Sequence, residues 1–340
     1  MWVASGTATG AAGQVAAPAQ KAAPRAARLF EATEPLQVTL TADFGAIAKD
    51  RGTTKHDHVG TLAYGGPGED TVAMEVRLRT RGHYRLRTCQ YPPLKVVFDR
   101  VHTAHTIFAH QGGSLKLVVQ CRSSRSYANY LLEEHLIYRV YNLLTERSFR
   151  ARLAVVTYVD PREKHETRYG FFMEDDDRMA ARNSASVLKE KGIFQTDTDF
   201  EQMTLLGVFQ YMIGNTDWSV AGLHNIVPIR DSTNVIFPVP YDFDWSGVIW
   251  TPYAQPDPRL GIATVRQRIF RAVCRTPVDL APVFARFNAL KDSIYALYRA
   301  QPGLEPQRVK QALDYYDEFY ETINDQRRLD REFLRSCARN

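Results

Sequence analysis

The chain has 340 residues, 44% apolar and 24% charged, with a formal net charge of +5 and a pI near 8.9. A chain of this length buries a sizeable core without needing metals or cross-links. The positive balance is diffuse, with no dense Lys/Arg block, which argues against nucleic acid as a partner, and no apolar run approaches the ~20 residues that cross a bilayer.

In chain order, residues 1–30 read as a disordered, Ala-rich leader. Period-two alternation then predicts strands. Leu36, Val38 and Leu40 make one, and Val72, Met74, Val76 and Leu78 another, with Gly65, Gly66, Pro67 and Gly68 as the turn between runs. Two more strand-like runs follow at 94–98 and 115–119. A helix is predicted over 126–146, with Tyr127, Tyr130, Ile137, Tyr138 and Tyr141 on one face, Glu134 in its middle and Glu133 at its edge. A carboxylate on an apolar stripe is costly unless paired. Strands are predicted again at 153–159 and 169–173, ending in the acidic run Glu174, Asp175, Asp176 and Asp177. A well-marked helix at 199–213 opens on a capping box, Thr198 with Glu201, and stops at Gly214. Short β-like pieces surround Asn225 and Val239. From Thr264 onward three helix-like stretches are separated by Pro277 and by Pro302 and Gly303.

The fold class is therefore read as α+β. A β-rich lobe at 31–175 precedes an α-helical lobe at 176–340, with a cleft expected between them. Four cysteines, Cys89, Cys121, Cys274 and Cys337, show no CxxC pair and no Cys/His cluster, so zinc is not indicated. The first two flank strand-like runs and the last two lie in helix-like runs. That division permits two disulfides and leans toward an extracytoplasmic home; four buried thiols in a cytosolic protein is the alternative.

The chemistry concentrates after the 199–213 helix: Gly214-Asn215-Thr216-Asp217-Trp218-Ser219, then His224-Asn225, then Tyr241-Asp242-Phe243-Asp244. A loop leaving a rigid helix is a suitable place for reactive side chains. Asp217 can accept a proton from an attacking hydroxyl. Asn225 and Asp242 offer a neutral and a charged oxygen, the partial set that Mg²⁺ completes with phosphates and water. His224 reads as a packed neighbour of this group.

The wording GNTDW…HN…PYDFDWSG resembles the catalytic and metal loops of the protein-kinase-like superfamily, closest to spore-coat CotH-type kinases, with a looser likeness to HipA-type kinases. Arg79-Thr80-Arg81-Gly82 and Lys95-Val96-Val97-Phe98 also look CotH-like, and the likeness covers roughly residues 35–250. The resemblance implies a two-lobed protein-kinase-like fold, with ATP and Mg²⁺ (or Mn²⁺) as cofactors. It implies phosphorylation of a protein or small-molecule hydroxyl. It carries Asp217 over as the catalytic base, Asn225 and Asp242 as metal ligands, and Asp244 as a further one. It makes Lys116 the phosphate-binding lysine with Glu134 as its helix partner, Glu174 the start of the adenine-binding hinge, and Arg81, with Gly82, a phosphate cover. Lys95 competes for the role of Lys116. The chain departs from the ordinary kinase pattern in several ways. Asp217 and Asn225 lie eight positions apart (225 − 217) instead of five, the histidine precedes the asparagine, Asp244 replaces a glycine, and no glycine-rich loop follows the first strands. Those departures keep two rivals open: a nucleotide-binding pseudokinase or adaptor, and a metal-dependent hydrolase built on Asp217, His224, Asp242 and Asp244.

Overall fold

The computed structural model describes residues 1–2, 29–65, 70–109, 111–162 and 165–338. Most of the expected leader and the Gly66–Gly68 part of the first turn lie outside the described residues. The first half supplies seven strands: β1 Leu36–Ala42, β2 His58–Tyr64, β3 Val72–Thr80, β4 Leu94–Phe98, β5 Ser114–Val119, β6 Ala151–Val159 and β7 Glu166–Met173. Their order is β1-β2-β3-β4-β5-β7-β6, and the sheet closes on itself. Closure comes from a parallel pairing of β1 with β6, running from Leu36 opposite Ala154 to Thr41 opposite Val159. Every other pairing in the barrel is antiparallel.

This arrangement corrects the two-lobed kinase-like expectation, in which the β-rich half is an open sheet. The strands themselves form where alternation predicts them. What alternation does not carry is which edges meet, and here two edges more than a hundred residues apart in sequence pair directly. The cost of closing a long loop grows only slowly with its length, so remote edges meet at little extra expense. The interior follows from the alternation. Leu40, Leu62, Leu78, Val96, Leu117, Ala154, Val156 and Phe172 point inward and are fully buried.

Short helices punctuate this half: α1 Phe44–Lys49, α2 Tyr84–Thr88 and α3 Arg100–Thr103. The long helix α4, Arg125–Leu144, leaves β5 and lies against the outside of β6 and β7. It is less one-sided than its tyrosine stripe predicts. Glu133, expected at the edge, is fully buried and meets Arg308 at 2.6 Å.

The second half contributes α5 Asp176–Arg182, α6 Phe200–Ile213, α7 Pro277–Arg299, α8 Pro306–Asn324 and the short α9 Gln326–Leu329. A three-stranded sheet, β8 Ala185–Val187, β9 Ile226–Asp231 and β10 Ile236–Pro240, sits among them in the order β10-β9-β8. α4, α6, α7 and α8 share one core with the outward residues Val118, Leu153, Phe171 and Met173 of the barrel. Two sequence details change. The N-cap of α6 is Asp199, whose carboxylate accepts from the Gln202 backbone, in place of the Thr198/Glu201 box. Pro277 opens α7 instead of separating two helices, with Thr276 and Asp279 forming its capping box.

Cys89 is bonded to Cys121 and Cys274 to Cys337, with Cα separations of 4.6 and 4.9 Å. Two disulfides are compatible with an oxidising compartment. The first fastens the end of α2 to the segment that links β5 to α4. No described helix is long and apolar enough to cross a membrane.

Candidate functional site

The site is assembled at the end of α6 and on the β9–β10 hairpin. α6 stops at Gly214, whose φ is +67°. A side chain there would collide with the Tyr315 hydroxyl, so only glycine turns the chain at this point. The loop that follows is fixed from both sides. The Asn215 side chain accepts from the Asp217 backbone N–H at 3.0 Å, and the Arg271 guanidinium donates to the carbonyls of Thr216 and Trp218.

Asp217 is therefore held by its own backbone, and its carboxylate is held as well. One oxygen meets His224 Nε2 at 2.8 Å and the other accepts from Asn225 Nδ2 at 3.1 Å. Asn225 Nδ2 also donates to the Asp217 carbonyl at 2.8 Å. With its amide nitrogen committed to Asp217, Asn225 offers its amide oxygen to a ligand. His224 is exposed, not packed as its neighbours in sequence suggest. The hydrogen bond to Asp217 raises its pKa, with burial opposing and the Asp217 and Asp242 charges adding.

The hairpin brings the second half of the motif alongside. In the β9–β10 register Pro240 lies opposite Ile226, and the Tyr241 N–H donates to the Asn225 carbonyl at 3.0 Å. Asp242 thus follows directly beside Asn225. Both have positive φ, +60° and +53°. Left-handed backbone at non-glycine residues is uncommon and clusters where function demands a particular side-chain direction. The Asp242 N–H donates to the Tyr138 hydroxyl of α4 at 2.9 Å. Phe243 is wholly buried against Tyr138 and Phe209, which anchors the two flanking acids.

What those acids meet was not legible in the sequence. Arg85 of α2 forms a two-pronged bridge to Glu134, at 2.9 and 3.0 Å, and also contacts Asp242 and, at 3.2 Å, Asp244. Lys116 is not the partner of Glu134; it pairs with Asp176 at 2.7 Å. One guanidinium therefore gathers three carboxylates. Burial works against ionisation of Asp242, but Arg85 and then Arg81 outweigh it and hold the carboxyl below its usual range. Asp244 moves the other way. Burial pushes it well up, Asp242 and Glu134 add to the push, and Arg85 only partly opposes it. The Tyr253 hydroxyl donates to Asp244 at 3.1 Å. Glu134 is likewise raised by burial, against the pull of Arg85.

The remaining candidates occupy two places. Lys116 lies on the outward face of β5, with its ammonium 5.1 Å from the Tyr241 ring. Burial lowers its pKa, Asp176 opposes, and Arg81 adds to the lowering. Lys95, the competing lysine, is directly opposite Lys116 in the β4–β5 register. Arg81 sits beside Asp242; burial and Arg85 pull its pKa down while Asp242 supports it. Arg81, Lys116 and Asp242 are thus brought together. Glu174 is committed elsewhere, to Arg182 at 2.8 and 3.1 Å and to the Arg150 backbone, and its own N–H is spent on the Arg150 carbonyl.

Among the described residues no group of three or more His, Cys, Asp and Glu side chains is arranged to hold a metal ion by itself. The Asn225 amide oxygen and the Asp242 carboxylate remain an oxygen pair of the kind Mg²⁺ takes when a phosphate completes it. They fit that ion with one condition: Arg85 must share the Asp242 oxygen it now holds. No protein-family model matches the chain, and no curated protein matches it.

Proposed function

We propose that the chain is an ATP- and Mg²⁺-dependent phosphotransferase acting on a hydroxyl acceptor, protein or small molecule, in the manner of the CotH-type kinases its loops resemble. The observation that carries this reading is the meeting of Asp217, on the loop after α6, with Asn225 and Asp242 at the open end of the β9–β10 hairpin, with the Arg81 cation acting on Asp242 and Lys116 over the neighbouring Tyr241 ring. Like charges directly opposite in a sheet are destabilising. Asp176 offsets part of the Lys95–Lys116 repulsion, and a polyanion such as a triphosphate would offset more.

In this reading Asn225 and Asp242 hold the metal, which supplies positive charge against the phosphates. Arg81 and Lys116 add to that charge. Asp217 orients the acceptor hydroxyl and takes its proton as the new O–P bond forms and the bond to the ADP oxygen breaks. His224 and Asn225 keep its carboxylate aimed. Two disulfides support work outside the cytosol.

A second reading has its own observation. Arg85 already fills the negative side of Asp242 and Asp244, as it would in a protein that binds nucleotide without turning it over. Transfer of the γ-phosphate from labelled ATP separates the cases, and calorimetry with Mg·ATP tests the metal assignment that both share. The phosphotransferase reading expects saturable binding that Asp242→Ala abolishes and Asp217→Asn keeps. Binding that survives Asp242→Ala unchanged would remove the metal assignment.

A further inference from the structure

A different face of α4 carries chemistry that the proposed reaction does not use. His135, Arg139 and Asn142 recur at spacings of four and three residues and so form one stripe, and Glu146 lies just past the helix end. With Glu146, with Phe30, Ala32 and Thr33, with Ser148 and Arg150 ahead of β6 and with Arg152 at its start, this stripe lines a cavity of about 180 Å³. Arg152 continues the inward series of Ala154 and Val156 to the end of the strand and is 8% exposed. Its Nε has no hydrogen-bond partner, and one Nη reaches only the Leu29 carbonyl at 3.4 Å. His135 is 3% exposed and its Nδ1 is also without a partner. Arg139 has no ion pair or hydrogen bond among the described residues, and burial alone lowers its pKa. Arg150 approaches Glu146 no closer than 3.8 Å, and Glu146 is mostly in solvent.

Buried charges are ordinarily paired, and orphaned polar atoms in a native interior call for a partner. Three guanidiniums converge here against the carboxylate of Glu146 at the rim and that of Glu34, whose charge acts on Arg152. The volume is below the ~300–1,000 Å³ of a pocket for a drug-sized molecule. It corresponds to roughly six waters at ~30 Å³ each. Guanidinium forks match the oxygens of tetrahedral anions. We infer that this cavity is a binding site for a phosphate-sized oxyanion, held by Arg139, Arg150 and Arg152 and separate from the Asp217–Asp242 loops.

The test is thermal unfolding of the full chain with inorganic phosphate or O-phosphoserine, with chloride added to constant ionic strength. Saturable protection of about 3–4 °C at ~100 times Kd is expected. Protection by phosphate shows that the group binds free; protection by O-phosphoserine alone shows that it arrives on a side chain. Arg139→Gln should abolish the protection while folding normally, because it removes a cation that has no partner among the described residues. Lys116→Ala should keep it. Equal shifts with phosphate and chloride would overturn the site. So would protection that persists in both Arg139→Gln and Arg152→Gln, or that is lost only in Lys116→Ala, which would put the anion at the nucleotide loops.

Discussion

Two faces of α4 carry polar side chains in opposite states. On one, Glu134 is gripped by Arg85 and Tyr138 receives the Asp242 N–H, so every charged group has its counterpart within the chain. On the other, about 100° around the helix, Arg139 and the His135 Nδ1 face a cavity with no side-chain counterpart among the described residues. The paired face is a finished structural element that holds the Asp242 segment in place. The unpaired face lacks such partners among the described residues.

The comparison breaks most readily at Arg85. Arg85→Ala leaves Glu134 buried without its cation, and chemical denaturation should show a loss of about 3–5 kcal/mol. A loss under ~1 kcal/mol would mean that the three carboxylates do not depend on it. Next in size is the disulfide that fastens α2. Replacing Cys89 and Cys121 by Ala should cost about 2–4 kcal/mol by the same measurement. It should also weaken Mg·ATP binding, because α2 carries Arg85; unchanged nucleotide affinity would show that α2 is positioned without the cross-link.

The unpaired face gives a pH signature. Burial, with Arg139 nearby, pulls the His135 pKa from 6.5 down to about 3. The folded protein therefore keeps this imidazole neutral, while the unfolded chain takes up a proton near 6.5. The stability that His135 contributes is fully present above that value and is lost as pH falls toward 3. The slope approaches ~1.4 kcal/mol per pH unit. Denaturation midpoints of the parent and of His135→Gln should diverge between pH 7 and 5, with the parent falling faster; parallel profiles would place His135 outside this account. The smallest expected effect is Arg139→Gln without phosphate, within about 0.5 kcal/mol of the parent and toward greater stability. A clear loss would reveal a structural partner for Arg139.

Much of the local structure was legible in the sequence, because alternation and helical period act over a few residues. Leu36–Leu40, the 94–98 run and the helix ending at Gly214 all follow from that. The meeting of Asn225 with Asp242 was also within reach, since a short hairpin joins them. The closure of β1 on β6 was not, because nothing local in either strand names a partner so far away. Arg85 escaped for a related reason. It lies on a five-residue helix among Arg81, Arg87 and other basic residues, and only the tertiary fold selects which guanidinium meets Glu134. The one available signal was the excess of buried acid at Glu134, Asp242 and Asp244, which demanded a cation without identifying it. The pairing of Lys116 with Asp176 follows from the same ambiguity.

The central claim is phosphoryl transfer, and γ-labelled ATP tests it most directly. The protein, with Mg²⁺ or Mn²⁺, is incubated alone and with a generic protein substrate, beside Asp217→Asn and Asp242→Ala. The account predicts label on the protein or the substrate with the parent chain and none with either variant. Label that persists in Asp217→Asn, or no label from a parent chain that binds Mg·ATP, would contradict it.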